Sequence, residues 1–155
     1  MMRKKPMLAY PVSDKPIDYT KPTFIQPKLD GVRCLIQYDA GKVTAYSRTG
    51  KVWKNIEHIT LNLYKFFDKH PNVILDGELY NHDLRDDFET IISLVRRQTP
   101  DDIDMLESQD LVQFHCYDVI VSVYQLAQWK TPPLLLQNLF YHLSQDISIR
   151  HLCLL

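Results

Sequence analysis

Gln26-Pro27-Lys28-Leu29-Asp30-Gly31-Val32-Arg33 is the stretch on which the reading of this chain turns. Its ordinary reading is a hairpin. Thr23–Lys28 and Val32–Tyr38 are β-like runs, and the Asp30-Gly31 turn between them would leave Lys28 and Arg33 in solvent. Its chemical reading is a lysine nucleophile at a strand end, with Asp30 and Arg33 arranged around it by the turn. A free lysine has a pKa near 10.4, so about one molecule in a thousand is nucleophilic near pH 7.4. Lowering that pKa by about three units takes roughly 4 kcal/mol from nearby cations, a metal ion or desolvation.

Working outward, Val32–Tyr38 sets Val32, Cys34, Ile36 and Tyr38 against Arg33, Leu35 and Gln37, as on a half-buried strand. Lys42–Ser47 follows as a further strand, with Ala40-Gly41 and Thr49-Gly50 as tight turns. Asn55 is the expected N-cap of a helix carrying Ile56, Ile59, Leu63, Phe66 and Phe67 at helical spacing, ended by Pro71. Val73–Tyr80 reads as a buried strand broken at Gly77. Asp86 and Asp87 open a second helix that Arg96 and Arg97 close, charge placements that suit the helix dipole. Leu111–Val121 reads as an apolar strand, Leu134–Leu143 as a helix and Ile147–Leu155 as another strand. Residues 1–22, rich in Lys and Pro, favour an extended arm. Strands with helices inserted between them make an α+β domain.

Composition bounds these readings. With 155 residues, 45% hydrophobic and 24% charged, the chain suits one ordinary globular domain, not a disordered tail or a disulfide-stapled miniprotein. Cys34, Cys116 and Cys153 are an odd, unpatterned set, so reduced thiols in a cytoplasmic setting are expected. No apolar run approaches the ~20 residues needed to span a bilayer, and Met1–Met7 has no apolar signal-peptide core. Residues 1–60 carry 11 basic and 5 acidic groups, and residues 61–155 carry 7 and 14. The basic first part suits either contact with a polyanion or a solvated face complementary to the second half.

Three other segments bear polar groups in suggestive places: Tyr46-Ser47-Arg48-Thr49-Gly50-Lys51, Leu75-Asp76-Gly77-Glu78-Leu79-Tyr80 and Phe114-His115-Cys116-Tyr117-Asp118. Of the chain's four glycines, Gly31, Gly50 and Gly77 fall inside this set and the Lys28 stretch, which suits a site admitting a bulky ligand. Neither a P-loop, a GxGxxG string, an HExxH helix nor a GxSxG elbow occurs, and no His/Cys set has zinc spacing. Trp53 and Trp129 read as packing residues.

Taken in this order, the four segments resemble the covalent nucleotidyltransferases, and most closely the ATP-dependent DNA ligases, including small phage-type ones. Lys-Leu-Asp-Gly-Val-Arg matches the family's KxDGxR motif in full. The resemblance implies an ATP-grasp-like adenylation domain of antiparallel sheets flanked by helices, over residues 23–155 after an arm of 1–22. It implies that Lys28 attacks the α-phosphate of ATP to form lysyl-AMP, with Mg²⁺, for sealing nicked double-stranded DNA in replication, repair or recombination. By the same resemblance Asp30 orders Lys28 and the metal-bound phosphate, and Arg33 contacts the nucleotide or the nick phosphate. Arg48 meets the ribose and the 5′-phosphate end, Glu78 the ribose hydroxyl, Tyr117 the adenine face and Gln26 the purine edge. Arg33 and Arg48 are thus also the DNA contacts. Singly, each has an ordinary reading: Glu78 as a strand-end cap, Tyr117 as core, Arg48 as a solvated turn.

The sequence also departs from that family. No Glu-Gly motif supplies the metal-binding glutamate, no Lys-x-Lys motif holds the phosphates, and no oligonucleotide-binding (OB) domain follows. The expectation is therefore an incomplete adenylation domain, a cytoplasmic monomer without membrane contact and with little activity alone. Its metal ligands are not assigned. The alternatives are an RNA ligase or mRNA-capping guanylyltransferase, and a non-catalytic fragment that holds nucleotide or DNA.

Overall fold

The computed structural model describes residues 10–21 and 27–120, and the backbone of 152–154. Five strands form one sheet in the order β2-β1-β3-β4-β5: β1 (Val32–Asp39), β2 (Lys42–Tyr46), β3 (Ile74–Tyr80), β4 (Gln113–Ile120) and β5 (Leu152–Leu154). β1 to β4 pair antiparallel, whereas β5 runs parallel to β4, Phe114 facing Leu152. The sheet is therefore not antiparallel throughout. Helices α1 (Glu57–Asn62) and α2 (Tyr64–Lys69) link β2 to β3, and α3 (Phe88–Arg96) and α4 (Asp102–Leu111) link β3 to β4. This is the α+β order read from the sequence. Thr23–Gln26, Leu134–Leu143 and most of Ile147–Leu155 lie outside the described residues.

β1 carries the expected alternation, with Cys34 and Ile36 in the main core. Its other face is covered too, because Leu35 packs with Tyr46 and Ile74 in a second cluster. The strand is buried on both sides rather than on one. Ala40 and Gly41 form the β1–β2 turn, both at positive φ, as a two-residue hairpin loop requires. Asp30-Gly31 is no such turn: Pro27–Asp30 is irregular, and Gly31 does not sit at positive φ.

β3 is not broken at Gly77. The register instead shifts by one residue there: Asp76 faces Asp118 while Gly77 faces Cys116. Tyr117 is thus the extra residue of a β-bulge, a device that bends a strand and re-aims its side chains. This accounts for the polar interruptions in β4. Phe114 and Cys116 are core residues, and the shift hands the next core position to Val119 instead of Asp118.

Ile56, Ile59, Leu63, Phe66 and Phe67 are all buried, so the helical stripe packs as read. It is carried by two short helices meeting at Leu63. Phe66 and Phe67 meet edge to face at 5.1 Å. Asn55 is not the N-cap. That position belongs to Ile56, without a side-chain bond, and Asn55 is buried as a junction. Its Nδ2 donates to the carbonyls of Leu94 (3.0 Å) and Asp104 (3.2 Å), and its own C=O accepts from Ser108 Oγ. Asn55 thereby ties the entry to α1, the end of α3 and the middle of α4. Asn55→Ala leaves two buried carbonyls short of a donor and should cost about 2–3 kcal/mol. Urea titration checks this, and a loss under about 1 kcal/mol would remove Asn55 as the junction.

The sequence reading missed α4. Its start carries a full capping box between Asp101 and Asp104, but the apolar pattern is inverted. Asp104 and Ser108 face inward, held by Arg97 and Asn55, while Ile103, Met105 and Leu106 face solvent. Hydrophobic periodicity cannot reveal a helix whose buried side is polar.

Candidate active site

One end of the sheet gathers the polar segments: the starts of β1 and β4 and the ends of β2 and β3. Arg33 faces Glu78 across β1 and β3, and Leu35 faces Asp76, so Arg33, Asp76 and Glu78 share one face. Arg33 donates from Nε and Nη2 to the two oxygens of Asp76, both at 2.6 Å. Asp76 is only 2% exposed. Burial raises its carboxyl while the guanidinium opposes that shift. A two-pronged pair of this kind fixes orientation as well as charge. The Arg33 guanidinium also lies 4.9 Å from the centre of the Tyr117 ring, a cation–π contact. Asp76 was passed over as a site residue, although the carboxylates on either side of Gly77 were visible in the sequence.

Glu78 is half-buried and takes two hydrogen bonds, from Tyr117 Oη at 3.3 Å and from the Gly31 N–H. Burial pushes its carboxyl up to about 7, against the opposing pull of Arg33 and of these two bonds. Its bonds run to Gly31 and to the bulged Tyr117, so it is not a strand-end cap. Burial likewise drives the Tyr117 phenol above its ordinary range. Two consequences are measurable by carbon NMR titration of Glu78. Its midpoint should lie near 7, and Tyr117→Phe, which deletes a bond to the ionised form, should raise it further. The folded carboxyl keeps its proton to higher pH than the unfolded one. Stability from this group is thus present below about 4.3 and is lost as pH rises toward 7. A midpoint below 5 would contradict this environment.

Lys28 lies in the irregular segment before β1, with its side chain 84% exposed and paired to Asp30. The expected depression of its pKa is not found. Asp30, by hydrogen bond and charge, and then Glu78 raise it above the ordinary lysine value. Its neighbours here are carboxylates rather than arginines, so they stabilise the ammonium form. What brings this segment to Glu78 is Gly31. A Cβ there would stand 2.4 Å from the Leu79 carbonyl oxygen and 2.7 Å from Glu78 Cγ. The glycine thus serves backbone approach, and the space is filled by β3 rather than reserved for a ligand. Arg48 is exposed at the tip of the turn after β2, which closes through Gly50 N–H to the Ser47 carbonyl at 2.9 Å. Gln26 lies outside the described residues.

The sheet thus brings together Lys28, Asp30, Arg33, Glu78 and Tyr117, and adds Asp76. His115, opposite Glu78 on β4, was also not singled out. It is buried, its Nδ1 has no partner among the described residues, and burial lowers its pKa. Trp53 packs in the core as expected. Cys34 and Cys116 are buried free thiols. Among the described residues no helix is long and apolar enough to cross a membrane.

The family described as ATP dependent DNA ligase domain matches residues 6–140. No curated protein matches the chain. Two solved structures, described as "Pmar-Lig_PreS3" and "Pmar-Lig_Pre.", each align with a TM-score of 0.54 and 24% identity, over 82% of this chain and 28% of theirs. The ligase domain of LigD from M. tuberculosis aligns with a TM-score of 0.38 and 21% identity, over 82% of this chain and 37% of that one. The chain spans less than a third of the length of the first two solved structures, whose likeness is one of fold. The family match runs over residues 6–140, nearly the whole of the chain whose sheet has just been described, and this chain is therefore a member of the ATP-dependent DNA ligase adenylation-domain family.

Proposed function

We propose that Lys28 is the residue that takes AMP, and that the chain supplies the front part of a ligase adenylation domain spanning residues 23–155, with 1–22 as a leading arm. The observation that carries this reading is the meeting of the Lys28–Gly31 segment with Glu78 on a face where Tyr117 and Arg33 are already fixed. In the step itself, Lys28, 84% exposed, first gives its ammonium proton to solvent water. The Nζ lone pair then forms a bond to the α-phosphorus of ATP while the bond to the bridging oxygen breaks. Pyrophosphate leaves with that electron pair. Asp30 holds the lysine side chain in place, and Glu78, once ionised, accepts a hydrogen bond from a ribose hydroxyl. Tyr117, backed by Arg33, offers an aromatic face to adenine. Arg48, exposed and without an ion pair among the described residues, would meet the ribose and a DNA 5′-phosphate. Gln26 is assigned to the purine edge by resemblance alone.

The described residues do not offer Mg²⁺ a seat. Among the described residues no three His, Cys, Asp or Glu side chains cluster as a metal site, and Asp30 and Asp76 are each engaged by a cation. The partner in the completed reaction is nicked double-stranded DNA, with the chain acting as a monomer in the cytoplasm.

The test is incubation with α-labelled ATP and Mg²⁺, followed by peptide mass spectrometry. Weak labelling, with AMP on Lys28 and none in Lys28→Ala, is the expected result for this incomplete domain. Adduct on another residue overturns the assignment, label from GTP instead of ATP points to capping chemistry, and salt-sensitive DNA binding without adduct leaves a binding fragment.

A further inference from the structure

β2 is an outer strand of the sheet. Ala45 turns its carbonyl outward to the Trp53 N–H at 3.0 Å, and the two-residue period of a strand sends the N–H and C=O of Val43 the same way. No described backbone group meets them. From Ala45 onward this edge is already covered, Tyr46 bridging Val52, so the open stretch lies at Val43, where an unpaired edge is a template for another extended chain. Beside it, between β2 and α1, lies a cavity of about 480 Å³, within the ligand-accepting range of roughly 300–1,000 Å³. Val43, Ala45 and Trp53 line it. Leu61, Tyr64 and Met105 border it and remain 64%, 39% and 40% exposed, a large apolar surface for a soluble domain to leave uncovered. Lys42 and Lys54 stand on the same cavity. Both are exposed, and neither forms an ion pair among the described residues. Glu57 is the sole acid lining it.

We propose that this edge takes an extended peptide segment, alternately apolar and acidic, as an added strand. The backbone of Val43 supplies the pairing groups, the cavity receives the apolar side chains, and Lys42 and Lys54 meet the carboxylates. Backbone pairing gives the affinity of such additions, and pockets for alternate side chains give their selectivity. The excess of unpaired cations selects an acidic partner over a basic one. None of the residues assigned to nucleotide chemistry takes part, so this surface stands or falls independently of Lys28.

The probe is an acetylated, amidated hexapeptide of alternating valine and glutamate, titrated into the ¹⁵N-labelled full chain. Saturable shifts are expected at the amides of residues 42–45 and 53–61. A valine–lysine peptide of the same length should bind about tenfold more weakly or worse, and Lys42→Glu with Lys54→Glu should reverse that preference. Methylating alternate peptide nitrogens, which removes the strand-forming donors, should abolish the shifts. Absence of saturable shifts, indifference to N-methylation, or equal affinity for the lysine peptide overturns the proposal. So does tighter binding of a six-residue thymidine oligonucleotide at the same amides, or self-association of the chain through them.

Discussion

Gly77→Ala should cost about 3 kcal/mol or more, a large share of the ~5–15 kcal/mol that holds a domain of this size together. The argument is one of space. A Cβ at this position would stand 2.3 Å from the backbone oxygen of His115 and 2.6 Å from the Phe114 ring. Phe114 is fully buried in the core, so its ring has no room to rotate away, and the oxygen belongs to the neighbouring strand. β3 and β4 must therefore separate at the bulge. The alanine also reduces unfolded-state entropy, which offsets roughly 0.4–1 kcal/mol of the loss. At a urea m-value of about 2 kcal/mol/M, the net effect moves the midpoint down by roughly 1 M or more. Gly41→Ala is the useful contrast. Nothing lies within 4 Å of its Cβ position, but its φ is +88°, so it reports backbone strain alone, about 1 kcal/mol. If Gly77→Ala were no worse than Gly41→Ala, the close passage of β4 over Gly77 would be wrong. The change should also loosen the site, because Asp76, Glu78 and Tyr117 flank the same contact.

What could be read beforehand follows from which physical signals are local. The β1–β2 hairpin was legible because Ala40-Gly41 sits between runs of β-branched and aromatic residues. The Ile56–Phe67 stripe was legible because helical spacing and burial agree there. α4 was not, since its inward side is polar: Asp104 is held by Arg97, seven residues back, and Ser108 by Asn55, remote in sequence. Asn55 was misplaced for the same reason: an asparagine before an apolar run has the local mark of an N-cap, and only the tertiary bonds to Leu94 and Asp104 override it. The bulge at Tyr117 lay partly in view, as the skipped step from Cys116 to Val119. At the site, the Lys-Leu-Asp-Gly-Val-Arg string, Glu78 and Tyr117 were picked out by pattern, and the sheet sets most of them together. The electrostatics around Lys28 were not legible, because the sign of a pKa shift depends on which charges the fold places nearby. In this chain Asp30 and Glu78 lie nearest the amine, while Arg33 is committed to Asp76.

That arrangement fixes how AMP uptake should depend on pH. With Asp30 and Glu78 holding Lys28 as an ammonium ion, fewer than about one chain in a thousand presents a neutral amine near pH 7.4. If Lys28 takes AMP as proposed, attack on the α-phosphorus draws only on that fraction, so the initial rate of adduct formation should climb about tenfold for each pH unit between 7.5 and 9.5. Lys28→Arg keeps the positive charge but remains protonated throughout, and should give no adduct at any pH, a fall of about a thousandfold or more at the upper end. Asp30→Asn removes the largest contribution to the raised pKa and should shift the whole profile to lower pH, at some cost in positioning. Glu78 adds a shallower rise near 7, where its carboxylate becomes available to a ribose hydroxyl. Single-turnover labelling from about pH 6 to 9.5 separates the two groups, since Asp30→Asn moves the steep limb and Tyr117→Phe the shallow one. A rate that stayed level from pH 7.5 to 9.5 would mean that the amine is already neutral, held so by cations that outweigh Asp30 and Glu78, and the electrostatic account of Lys28 would have to be given up.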